Sequence, residues 1–146
     1  MTVWGIHDIS RSTEKSYAID VAFMDKRENA FSGDNLGWRL ETIVYLELQR
    51  RKAATGNDIY YFKSRSSDAD FVVCEGNKTL AVYQVCYGIA KEKTRRREIK
   101  GCIEGAKATN CNNIFLITDH ESEIIEEGGY TIQVVPIWEW LVKEGI

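Results

Sequence analysis

The sequence predicts an α/β protein with a mixed central β-sheet flanked by helices, in the order α-β-β-β-α-β-β-α. Three patterns carry this expectation. Apolar residues recur at 36, 40, 43, 44 and 48, which is a helical period. Between Ser67 and Tyr87, two β-branched and aromatic runs flank a polar turn, the pattern of a hairpin. Asn113-Ile114-Phe115-Leu116-Ile117-Thr118 is apolar without alternation, as in a central strand covered on both faces.

Length and composition set the frame. The 146 residues, 44% hydrophobic and 28% charged with a single proline, describe one globular domain spanning 1–146. The net charge of −3 excludes wholesale electrostatic capture of nucleic acid, so any phosphate binding must come from a local cluster. Cys74, Cys86, Cys102 and Cys111 show no CxxC spacing, and the chain has no leader-like apolar start, which together predict a reduced, cytoplasmic protein. The same spacing argues against a four-cysteine zinc site and for cysteines acting as small apolar residues. Nothing approaches the roughly eighteen consecutive apolar residues of a spanning helix, so no membrane partner is expected.

Residues 1–35 hold two short strand-like runs, Val3-Ile6 and Ser16-Phe23, around a polar loop. They read either as the truncated start of the C-terminal region of a longer polypeptide or as the opening of a short natural gene. Ser32-Gly33-Asp34-Asn35 offers N-cap candidates for a helix over Leu36–Ala54, closed by Gly56. Its apolar stripe has Glu41 at the edge and Glu47 nearer the middle, so both acids compete for an inward role. Asp58–Ser64 is a strand leading into the hairpin. Thr94–Ala108 is a second helix, with Ile99, Cys102, Ile103 and Ala106 on one side and Gly101 and Gly105 weakening it. Glu121–Glu127 reads as an acidic loop or helical turn, Tyr130–Val135 as a strand, and Pro136–Val142 as a closing helix with proline in its first turn.

The hairpin carries the chemistry. With a register centred on Asn77, Asp70 lies opposite Gln84 and Asp68 opposite Cys86, all projecting from one face. A solvated sheet face explains these residues, and so does a metal site.

The helix bearing Glu41, the Asp-bearing hairpin and their order resemble the core of the PD-(D/E)XK phosphodiesterase superfamily, which has the restriction-endonuclease-like fold. More closely, the chain resembles the C-terminal domain of unknown function in prokaryotic AAA+ ATPases. The matching residues are Tyr17-Ala18-Ile19-Asp20, Asn35 to Leu48, Asp68-Ala69-Asp70-Phe71-Val72-Val73, Tyr83-Gln84-Val85-Cys86-Tyr87, Arg97-Glu98-Ile99, and Val134-Val135-Pro136 leading to Trp140-Leu141. The resemblance implies a nuclease-like site in which Glu41, Asp70 and Gln84 are the catalytic and metal-ligating residues, with Mg²⁺ or Mn²⁺ as the cation. Cys86 stands where that superfamily has its lysine. A thiol cannot stabilise a pentavalent phosphate as an ammonium does, so the resemblance implies a degenerate or weak phosphodiesterase. Lys78, Lys91 and Lys63 are candidates to replace the lysine from elsewhere.

Lys91–Lys100 is a second cluster, with six basic residues in ten. At helical spacing Lys93, Arg96, Arg97 and Lys100 share a face, and with Arg95 they form a candidate nucleic-acid-binding patch for DNA or RNA. The alternative is a solvated helix start. The expected function is a nucleic-acid-binding or targeting domain of an AAA+ ATPase. The alternatives are an active Mg/Mn-dependent endonuclease with a displaced lysine, and a protein-interaction module lacking both metal and nucleic acid. A second copy of the chain, paired through exposed strand edges, is a further candidate partner.

Overall fold

The computed structural model describes residues 36–64 and 67–143. The strand-like runs expected at 3–6 and 16–23, Asp20 and the N-cap candidates at 32–35 lie outside them. Three helices and six strands follow in the order α1 (Leu36–Thr55), β1 (Asp58–Lys63), β2 (Asp68–Glu75), β3 (Lys78–Val85), α2 (Glu92–Thr109), β4 (Ile114–Thr118), β5 (Glu123–Glu127), β6 (Tyr130–Pro136) and α3 (Ile137–Val142). The strands form one mixed sheet, ordered β1-β2-β3-β4-β6-β5. β1, β2 and β3 pair antiparallel, β3, β4 and β6 run parallel, and β5 returns antiparallel along β6. The α/β class with helices flanking a mixed sheet is therefore as the sequence predicts.

The two faces of the sheet are covered differently. On one, Leu40, Val44 and Leu48 of α1 and Trp140 of α3 bury against Phe71, Tyr83, Phe115 and Ile117. On the other, Ile99, Cys102, Ile103 and Ala106 of α2 pack on Ile114, Leu116, Ile132 and Val134. All five residues of β4 are buried, because helices cover both sides of it.

α2 lies unusually close to the sheet, and its glycines are the reason. A Cβ at Gly101 would sit 2.5 Å from the Asp68 backbone oxygen, and one at Gly105 would meet Ala69 Cβ at 3.0 Å and Val82 Cγ1 at 3.1 Å. Residues four apart share a helix face, so both glycines turn the same bare stripe to β2 and β3. They weaken the helix in isolation and allow the close approach in the fold.

The hairpin register depends on a bulge. Next to the Gly76-Asn77 turn, Glu75 faces Lys78 and Cys74 faces Thr79; the register then shifts by one, so that Val73 faces Ala81 and Phe71 faces Tyr83. Leu80 is the extra residue. A one-residue slip reverses which face a side chain occupies, so this bulge is what brings Gln84 to the same face as Asp70.

One element differs from expectation. Glu123–Glu127, expected as loop or helical turn, is an edge strand. Gly128 and Gly129 both adopt positive φ, at 61° and 81°. Two such residues form the tight turn whose twist suits a hairpin, so Ile125 is drawn into the core opposite Ile132.

Candidate functional site

A cleft of about 560 Å³ opens at the end of the sheet where β2 begins and β3 ends. α1 supplies Gly37 and Glu41, the end of β1 supplies Lys63, the β1–β2 connection supplies Ser64 and Ser67, and α2 supplies Arg97, Glu98 and Lys100. Asp68, Asp70, Gln84 and Val85 line the strand ends. Glu41, Asp70 and Gln84, the three residues that the sequence singles out, thus line one cleft. Glu41 reaches it from the edge of the stripe by which α1 packs on the sheet.

Glu47 does not take part. Its carboxylate accepts from Arg50 Nε and Nη2, each at 2.7 Å, and from Arg51 Nε at 2.8 Å. Arg50, then Arg51, hold the Glu47 carboxyl below its ordinary value against the opposing effect of burial. Arg51 also donates to Trp140 O at 2.8 Å and stacks 4.2 Å from the centre of its ring, so this cluster fastens α1 to α3.

At the floor of the cleft, side chains continue where the backbone ladder stops. Paired residues of β2 and β3 end at Phe71 and Tyr83. Beyond them Val85 N–H donates to Asp70 Oδ2 at 2.9 Å, and Asp70 N–H donates to Gln84 Oε1 at 3.3 Å. Gln84 Nε2 donates to Glu98 Oε2 at 2.6 Å. The Gln84 amide has only one chemically consistent orientation, because a backbone N–H can only donate and a carboxylate only accept. Asp70, Gln84 and Glu98 are all buried.

Arg97 completes this chain. Its Nε donates to Glu98 Oε1 at 2.9 Å, and its Nη2 donates to the same oxygen. Glu98 holds the guanidinium pKa above its usual value, by hydrogen bonding first and by charge second. Glu98 lines this cleft although sequence reasoning gave it no part in the site. Its signal was available: with Cys102 and Ala106 it falls at four-residue spacing on the apolar stripe of α2, where a carboxylate needs a partner.

Two of the three expected metal donors, Asp70 and Gln84, already hold backbone partners. Gln84 turns its oxygen to a backbone amide, Asp70 commits one oxygen to Val85, and Glu98 has both oxygens bound. Among the described residues no three His, Cys, Asp or Glu side chains gather as a metal-holding group. Mg²⁺ and Mn²⁺ require several hard oxygens together, and this donor set does not fit such an ion.

Cys86 lies just past the end of β3 and does not line the cleft. It packs on the α2 side, its Sγ 3.3 Å from Gly88 O. Burial, then the Glu98 charge, push its thiol up to about 11. Of the lysines proposed as replacements, Lys63 lines the cleft; Lys78 sits at the hairpin turn and Lys91 precedes α2, neither of them in the lining. Lys100 joins Lys63 there.

The basic run divides. Arg95 forms a two-pronged bond to Glu123 at 2.5 and 2.8 Å, and Arg96 Nε bonds Glu92 at 2.6 Å, so these two charges are already neutralised within the protein and lie outside the cleft lining. The five-residue patch is thus divided between the cleft lining, which holds Arg97 and Lys100, and the surface outside it, which holds Lys93, Arg95 and Arg96. Lys93 and Lys100 are exposed and make no ion pair among the described residues. No helix among the described residues is long and apolar enough to cross a membrane.

No protein-family model matches the chain. It is 32% identical over 112 residues to an uncharacterized protein of Methanocaldococcus jannaschii, a match covering 73% of this chain and 25% of that protein. The chain thus spans about a quarter of the length of this curated relative.

Proposed function

We propose that this chain is a nucleic-acid-binding domain built on a phosphodiesterase-like core whose hydrolytic site is degenerate. The observation that carries the reading is the cleft in which Glu41, Asp70 and Gln84 meet Lys63, Arg97 and Lys100, with Cys86 outside its lining. A phosphate backbone laid along the cleft would meet Lys63 on one side and Lys100 on the other. The carboxylates at its floor are held by Val85 N–H, Gln84 and Arg97, which limits their repulsion of that backbone.

The domain works, in this proposal, in the cytoplasm as an accessory to an AAA+ ATPase module in the same polypeptide or complex. Four cysteines without a disulfide support the reducing compartment. The match to a quarter of a longer archaeal protein supports a domain that belongs to something larger.

Plasmid and single-stranded DNA incubated with the protein and Mn²⁺ test the degenerate site. Cleavage no faster than that of Asp70→Ala is the expected result. Asp70-dependent nicking would instead favour a metal-dependent endonuclease in which Lys63 or Lys100 takes over from the missing strand lysine, the second reading that their position supports. Absence of any DNA or RNA binding at low salt would favour a protein-interaction module.

A further inference from the structure

We propose that Arg97 is a fork for a backbone phosphate in the cleft and that Glu98 is the residue that positions it, so that a buried carboxylate strengthens the grip on a polyanion. This rests on reading the cleft as a nucleic-acid-binding site, as above. A guanidinium has two donor edges, one formed by Nε and Nη2 and the other by Nη1 and Nη2. Arg97 gives the first edge to Glu98, both donors falling on Oε1. Its Nη1 has no hydrogen-bond partner among the described residues, and the side chain, 74% exposed, lines the cleft. The second edge is therefore open, and two parallel N–H groups match two oxygens of one phosphate. Arg95, two residues earlier, is the contrast: its Nη1 and Nη2 both go to Glu123, so its outer edge is spent.

Glu98 serves as an anchor because it is itself held. Its side chain is 5% exposed, Gln84 Nε2 donates to its Oε2 at 2.6 Å, and the Asp70 backbone N–H in turn holds Gln84 Oε1. Successive residues of a helix do not ordinarily face one another, yet Arg97 folds back on its own neighbour. Without that anchor an exposed arginine samples many rotamers, and gripping a phosphate costs the entropy of ordering it. Charge alone points the other way. The described lining contains four carboxylates, Glu41, Asp68, Asp70 and Glu98, against three cations, Lys63, Arg97 and Lys100, so loss of any one carboxylate should tighten binding of a polyanion. Positioning predicts the reverse at Glu98, and the sign of the effect separates the two.

The test is the fluorescence anisotropy of a labelled single-stranded oligonucleotide ending in hydroxyls, titrated at one low salt concentration with wild type, Glu98→Gln and Asp68→Asn. Glu98→Gln is expected to weaken binding about fivefold, the loss of one aligned charge-assisted hydrogen bond, although it removes a negative charge. Asp68→Asn takes a carboxylate from the same lining without touching the anchor of Arg97, and is expected to tighten binding about twofold. Should Glu98→Gln fail to fold, Arg97→Lys carries the test: it keeps the charge, has no second edge to offer once its ammonium engages Glu98, and is expected to weaken binding by a similar factor. Tighter or unchanged binding by folded Glu98→Gln overturns the proposal, as does Arg97→Lys that binds like wild type. A loss confined to a copy of the strand that ends in a phosphate moves the fork to a terminal phosphate, and likewise overturns it as a backbone contact. Wild type that binds neither strand removes the nucleic-acid reading and this proposal with it, a result distinct from a wild type that binds and variants that keep its affinity.

Discussion

Gln84 on β3 and Glu98 on α2 are joined by a buried hydrogen bond of 2.6 Å, and that bond decides what residue position 84 accepts. Gln84→Glu would set two carboxylates against each other in a buried site. One of the pair would then keep its proton to a higher pH in the folded protein than in the unfolded chain. A raised carboxyl pKa contributes stability at low pH and loses it as pH rises through the folded value. The variant is expected to be about 2–4 kcal/mol less stable than wild type at neutral pH, with the gap narrowing towards mildly acidic pH. Urea unfolding across that range measures it; a gap independent of pH would contradict the pairing.

Gly101 and Gly105 set the distance between α2 and the cleft. Alanine is the better helix former by about 1 kcal/mol, so substitution at an open helix position would stabilise the protein. Here the added methyl meets backbone oxygen at Gly101 and side-chain carbon at Gly105. Gly101→Ala is expected to destabilise by about 2–3 kcal/mol and Gly105→Ala by less, because a backbone atom yields less readily than a side chain. Denaturant midpoints of the two variants test the order.

Much of this arrangement is legible in the sequence, and the exceptions have physical causes. The helical period from Leu36, the hairpin and the apolar run at Ile114 each follow from local pattern. The opposition of Asp70 and Gln84 was also legible, although the turn alone would have given the wrong face and the bulge at Leu80 restores it. Glu98 and Lys63 join the cleft through contacts between elements distant in sequence, which no local pattern encodes. The ion pairs of the basic run were hidden for the same reason: Glu123, which pairs with Arg95, lies on a strand that resembled a loop until the Gly128-Gly129 turn is taken into account. Glu41 sits at the edge of the apolar stripe of α1 and Glu47 nearer its middle, and the placement of Arg50 and Arg51, rather than the wheel, separates their roles.

Glu47 contributes to acid sensitivity. Its carboxyl titrates below the ordinary value in the folded protein, so its stabilising effect is present above the unfolded pKa and is lost as pH falls through the folded one. Glu47→Gln is expected to cost about 1–2 kcal/mol at neutral pH and less at an acidic pH, as the native carboxyl gains its proton. Comparing denaturant midpoints at the two pH values checks both halves.

Nucleic-acid binding tied to the cleft is the proposition on which the functional reading stands. Its most direct test is the fluorescence anisotropy of a labelled single-stranded oligonucleotide, titrated at several salt concentrations with wild type, Lys63→Ala/Lys100→Ala and Arg95→Ala/Arg96→Ala. The expected result is salt-sensitive wild-type binding, with the lysine pair lowering the salt slope by about two and the arginine pair leaving it nearly unchanged. Equal loss in both double variants, or wild-type binding that ignores salt, would contradict it.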